Sequence, residues 1–183
     1  MRICAYLVTA SLLVLAACAT PPLSVSLSPV ASAARPNDAQ IGWQDRRSEP
    51  VVALRMNQGG AEEVVRQMTL SSPLAETFIA HLRAAAVERQ VVLPSFDVAL
   101  TDMQLRDRVG FLTADKLNCN ISSEVVVRSS DVATAPKAVK TYVDGVTSKS
   151  PSMATAGQKI LDACLQRHAV EIIAALTEQS SMR

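Results

Sequence analysis

The chain has 183 residues, of which 49% are apolar, 19% charged and only 3% aromatic. Once Arg2 leaves with a signal segment, basic and acidic residues balance, which excludes a polybasic surface for nucleic acid or anionic lipid and excludes an acidic tail. So few charges among so many apolar residues argue against disorder, the scarcity of aromatics argues against a stacking or sugar-binding platform, and the length fits one domain with its own core.

Met1 and Arg2 form a short positive start, and residues 3–15 form an apolar run. That run is too short for a helix across ~30 Å of hydrocarbon. It leads into Leu15-Ala16-Ala17-Cys18, a string that resembles the lipobox of bacterial lipoproteins. In a lipobox the cysteine thiol is the nucleophile that accepts diacylglycerol. Small residues before it let the chain lie extended in the peptidase that cuts there. The new amino group then takes a further acyl chain. One acyl chain holds a bilayer only marginally, at ~0.8 kcal/mol per buried CH₂, whereas three hold it essentially permanently. The alternative is an ordinary secretory signal cleaved at an A-x-A-like site such as Ala17-Cys18-Ala19. Ala19, not Asp, follows the cysteine, which by resemblance to the enterobacterial sorting pattern implies outer-membrane delivery. The expected organisation is a signal peptide over 1–17, an acylated Cys18 with a Pro/Ala/Ser-rich tether over 18–38, and one domain over 39–183.

Within the tether, Leu23-Ser24-Val25-Ser26-Leu27 alternates and predicts an early edge strand. Residues 40–45 read as a strand ending in Asp45-Arg46-Arg47. The run 51–56, the turn Asn57-Gln58-Gly59-Gly60 and the alternating Val64, Arg66, Met68 and Leu70 predict a hairpin. A helix over 61–68 is the alternative, since Glu62, Glu63 and Gln67 are good helix formers. Ser72-Pro73 opens a helix, with Ser72 as N-cap and Pro73 at its first position. Its stripe is Leu74, Phe78, Leu82 and Ala85, and it ends near Gln90. Strands follow at 96–105, 117–127 and 139–143, with a polar turn at 106–110 and a loop at 129–136. A second Ser-Pro start, Ser150-Pro151, opens a helix to about Leu176 with an apolar face that includes Ile160, Cys164, His168 and Ile172. The three strands between the helices are joined by short turns and should pair antiparallel. The fold class is α+β: two layers, a mostly antiparallel sheet, and two helices packed on one face.

Cys4 leaves with the signal and Cys18 is acylated, so Cys119 and Cys164 remain as an even pair in an oxidising compartment. Cys119 is on the core side of a strand and Cys164 on the apolar stripe of the last helix. A bridge would close a long loop, worth ~3–4 kcal/mol. Two buried free thiols are the alternative.

Chemistry is sparse. His81 borders the first helix stripe, where a flank histidine with a local hydrogen bond is the plain reading. His168 has Glu171 one turn on, too poor a set for a metal, and no metal or cofactor site is expected. No Gly-x-Ser-x-Gly elbow or phosphate loop exists. Asp97 and Asp102 are an odd number of places apart on one strand and should face opposite sides. No catalytic residue is assigned; a cleft joining either histidine to a Ser and an Asp would revive a hydrolase. Asp45, Arg46 and Arg47 are the best polar cluster, read either as a partner-docking corner or as a local ion pair.

The chain resembles the YajG-like family of outer-membrane lipoproteins. The resemblance is carried by the lipobox, Trp43-Gln44-Asp45-Arg46-Arg47, the amphipathic helix at 74–90, Asp97 to Met103, Asn120-Ile121, Lys140-Thr141-Tyr142 and the closing helix. It implies an envelope lipoprotein and carries over no catalytic residues. The expected function is therefore a non-enzymatic lipoprotein, held on the periplasmic face of the outer membrane by Cys18 and binding an envelope protein partner, not nucleic acid. The alternative is a lipid-handling accessory lipoprotein of an envelope ABC transporter, which needs an apolar cleft or an exposed apolar patch.

Overall fold

A computed structural model describes residues 22–30, 39–48, 52–58, 61–108, 116–128, 135–145 and 152–181. The elements are β1 (Leu23–Val25), β2 (Ile41–Asp45), β3 (Val52–Gln58), β4 (Ala61–Leu70), α1 (Leu74–Glu88), β5 (Phe96–Arg108), β6 (Lys116–Val127), β7 (Lys137–Val143) and α2 (Met153–Ser181). The strands form one sheet in the order β1-β4-β3-β5-β6-β7, and β2 pairs with β5. This is the expected α+β class, with both helices over one face and α1 packed against α2. The β3–β4 hairpin forms, so the helical reading of 61–68 falls. β5, β6 and β7 pair antiparallel in sequence, as their short connections require.

The sheet is mixed, however, because β1 on β4, β2 on β5 and β3 on β5 are parallel. These are the pairings between strands distant in the chain, which no local turn dictates. β2 and β3 both lie along the same side of β5, β2 against Phe96–Leu100 and β3 against Gln104–Asp107.

β5 does not end at the polar run. Arg106, Asp107 and Arg108 continue the strand, paired to β6 through Lys116–Asn118. Backbone pairing decides here, not side-chain polarity. A bulge between Leu100 and Asp102 inserts one residue into β5. Phe96, Val98 and Leu100 point to the core before it, Met103 and Leu105 after it. The inward set changes from even to odd numbers at Thr101. Asp97 and Asp102 therefore share the outer face, which corrects the expectation that they oppose. They do not form a pair: Asp97 accepts from Arg128 Nε at 2.8 Å, and Asp102 from Gln104 at 2.9 Å. Gly42 of β2 lies against the Asp97–Arg128 pair, where any Cβ would overlap the carboxylate.

Ser72 does not cap α1. Its hydroxyl accepts the backbone N–H of Leu27 at 3.0 Å, and Pro73 occupies the N-cap with no side-chain cap. The C-terminus is a Schellman motif: Val91 N–H bonds Ala86 O at 2.9 Å and Gln90 N–H bonds Val87 O at 3.1 Å. Gln90 sits there at φ 55°, where glycine is usual. Ser150-Pro151 lie outside the described residues, and Ser152 caps α2 by accepting the Thr155 N–H at 3.1 Å. α2 runs past Leu176 to Ser181, and Lys137 of β7 donates to the Ala175 carbonyl at 3.4 Å and to Glu178 at 3.0 Å near that end.

Residues 22–30, which the expected tether over 18–38 includes, pack with the domain. Val25 and Leu27 are core residues, 1% and 5% exposed. The backbone N–H of Ser28 is bonded to Asp162 of α2 at 3.0 Å. The segment 22–30 is thus part of the domain. Among the described residues, no helix is long and apolar enough to cross a membrane.

Candidate functional site

Two polar constellations are built by the packing of the helices. The first lies under α2. β6 alternates Cys119, Ile121 and Ser123 toward the core, and β7 does the same with Thr141. His168 of α2 comes down between them, fully buried. Its Nε2 is 2.8 Å from Ser123 Oγ and its Nδ1 is 2.6 Å from Thr141 Oγ1. Thr141 donates to Glu171 at 2.5 Å, so its oxygen accepts from His168 Nδ1–H, and Nε2 accepts from the Ser123 hydroxyl. The ring is thereby fixed as a neutral tautomer with both nitrogens satisfied. Burial pushes its pKa down to about 4, with the Glu171 carboxylate opposing weakly. Phe78 of α1 packs on the ring at 5.7 Å, and Trp43 packs on Phe78 at 5.2 Å. A Ser–His contact exists here, but Ser123 and His168 are 2% and 0% exposed and closed beneath the helix.

The second is a cleft of about 410 Å³ between α1, α2 and the 28–30 segment. Its walls carry Ala84, Ala85, Ala163 and Val170, with His81, Glu88 and Asp162 among them. Two further hollows line the same helix pair, one sharing Glu88, Ala163, Gln166 and Val170 with this cleft and the other lined by Arg89, Val91 and Ala174. His81 lacks the local hydrogen bond expected of it: Nε2 is enclosed with no partner. Burial pushes this histidine's pKa down, and nearby Asp162 partly offsets that. Ser28, His81 and Asp162 share the cleft, yet Ser28 gives its hydroxyl to Asp162 at 2.5 Å, not to the imidazole. The cleft therefore has the His81 ring among small apolar walls, with Nε2 enclosed and not open to it. It does not present an activated hydroxyl.

The residues singled out in the sequence are scattered. Cys18 lies outside the described residues. Cys119 and Cys164 form a disulfide, Cα–Cα 6.1 Å, tying β6 to α2. Arg47 clasps Asp45 through Nε at 2.9 Å and Nη2 at 2.7 Å, while Arg46 turns to Gln44 and Glu124. That clasp pulls the Asp45 carboxyl below the usual range. Arg47 is 7% exposed, so its charge is committed within the fold. Among the described residues no group of three or more His, Cys, Asp or Glu is placed to hold a metal ion. Sequence reasoning missed Ser123, Thr141 and Asp162. The alternation of β6 and β7 was the available signal for the first two, since an inward hydroxyl demands a partner.

By fold this is a two-layer α+β domain with one polar cluster sealed beneath α2 and another set in an inter-helix cleft. No protein-family model matches the chain, and no curated protein matches it. Among solved structures, the chain is similar to a Xanthomonas campestris protein, XCC0632, described under family DUF330. That similarity has a TM-score of 0.46 at 12% identity and covers 89% of this chain and 98% of that one. It is also similar to a minor lipoprotein from Acinetobacter baumannii, at TM-score 0.40 and 11% identity, over 74% of this chain and 92% of that one. No residue here takes a role from either.

Proposed function

We propose that the protein is a non-enzymatic lipoprotein of the bacterial envelope. It is acylated at Cys18, held on the periplasmic face of the outer membrane, and binds a protein partner in envelope assembly or maintenance. The observation that carries this reading is the Leu15-Ala16-Ala17-Cys18 string behind an apolar run of the right length. The resemblance to YajG-like lipoproteins points the same way. The sealing of Ser123 and His168 supports a structural use of that pair.

The inter-helix cleft favours a second reading, an accessory lipoprotein that handles lipid for an envelope ABC transporter. Its walls of Ala84, Ala85, Ala163 and Val170 suit an apolar chain. Crosslinking the anchored protein in cells, followed by mass spectrometry, separates the two. The first reading expects outer-membrane or cell-wall proteins and no bound lipid. Transporter subunits with copurified lipid would replace it with the second.

A further inference from the structure

We infer that the folded domain rests on the bilayer through one end of its sheet, formed by the β3–β4 hairpin and the C-terminal part of β5. The inference rests on acylation at Cys18 and deepens that reading by naming the surface that meets lipid.

Register fixes the direction. Leu23 pairs with Met68, and Met68 with Val52. β1 runs parallel to β4, so the chain before Leu23 leaves the sheet on the side toward which β4 runs back to Ala61. Cys18 is only five residues before Leu23, a reach of about 17 Å at full extension. From Met68 back to Ala61, β4 spans seven steps, about 23 Å. β3 accompanies it to Gln58, and β5 runs beside β3 toward Arg108. The tether is thus shorter than the sheet standing next to it. With Cys18 at the membrane surface, an upright domain sets these strand ends among the headgroups.

Two features of this end fit lipid. A Cβ on Gly157 would lie 3.4 Å from Met68 and 3.8 Å from Val25, which places the start of α2 beside β1. One turn earlier, level with Leu23, Met153 is 38% exposed. In register, this end carries charges of both signs: Arg55 pairs with Arg106 and Arg108 with Lys116, and Glu62, Glu63 and Asp107 stand on the same strand ends, a mixture that meets both the ammonium and the phosphate groups of the headgroups.

The test uses the full acylated chain in vesicles of phosphatidylethanolamine and phosphatidylglycerol containing brominated lipid. One fluorophore is placed at Gln58→Cys, and another at Val92→Cys. Val92 is 77% exposed and precedes the start of β5 at the other end of the sheet. The expected result is quenching severalfold stronger at 58 than at 92. Should Gln58→Cys fail to fold, hydrogen exchange on the unmutated chain replaces it, with slowed exchange in β3 and β4 on vesicle binding expected. Vesicle-bound, acylated protein with equal quenching at both sites, or with unchanged exchange, overturns the inference and leaves the anchor standing. Protein that carries no acyl group and does not float with the vesicles overturns both.

Discussion

His168 shows how one buried side chain sets a pH limit on the whole fold. The native environment holds the ring neutral with a pKa of about 4, whereas the unfolded chain takes up a proton near 6.5. Between those values the unfolded state binds more protons than the native one, so stability falls as pH drops. The difference corresponds to about 3 kcal/mol lost from pH 6.5 to 4. His81, whose pKa burial also lowers, adds to the same slope. Asp45 and Asp97, held low by arginines, act only further down, as pH falls through the carboxylate range. Urea unfolding at successive pH values is expected to show this loss, and a midpoint unchanged from pH 7 to 4.5 would contradict it. The sequence placed His168 on the apolar stripe of its helix, which was right. Its partners were not legible, because Ser123 and Thr141 are 45 and 27 residues away and meet it only after β6 and β7 pair. The Asp45-Arg46-Arg47 corner was legible as a cluster, but not the division of its two arginines between different partners.

At the level of elements, local rules read well and long-range ones did not. The hairpin, both helices and the three consecutive strands follow from periodicity and turn chemistry. The bulge at Thr101 leaves no mark in the residue pattern, and with it went the facing of Asp102. The parallel pairings of β1, β2 and β3 arise from packing between distant segments. The Cys119–Cys164 bridge fastens α2 across β6 and, with a separation of 45 residues, stabilises by about 4 kcal/mol through the unfolded chain. The end of α1 is where local strain remains. Gln90 occupies a left-handed position at φ 55° in an otherwise complete Schellman motif. An L side chain costs about 1 kcal/mol or more there, so Gln90→Gly is expected to raise stability by roughly 1 kcal/mol. A denaturation midpoint that falls in this variant would show that Gln90's side chain contributes more than its backbone costs.

For the whole molecule, the arrangement of the N-terminal segment matters most. The sequence marked 18–38 as tether, yet Leu23–Val25 completes the sheet and Ser28 is fastened to α2. The alternation of Leu23, Val25 and Leu27 had hinted at this. An anchor at Cys18 would therefore join the bilayer to the fold with little slack, and the inter-helix cleft would keep a defined height and orientation above it. That geometry suits a protein that meets its partner at the membrane surface. Everything in this account of place depends on the cysteine, so the mass of the N-terminal peptide from membrane-isolated protein tests it most directly. The expected peptide begins at Cys18 and carries diacylglycerol on sulfur with a further acyl chain on nitrogen. An unmodified peptide beginning after Cys18 would contradict it and leave an ordinary secreted domain.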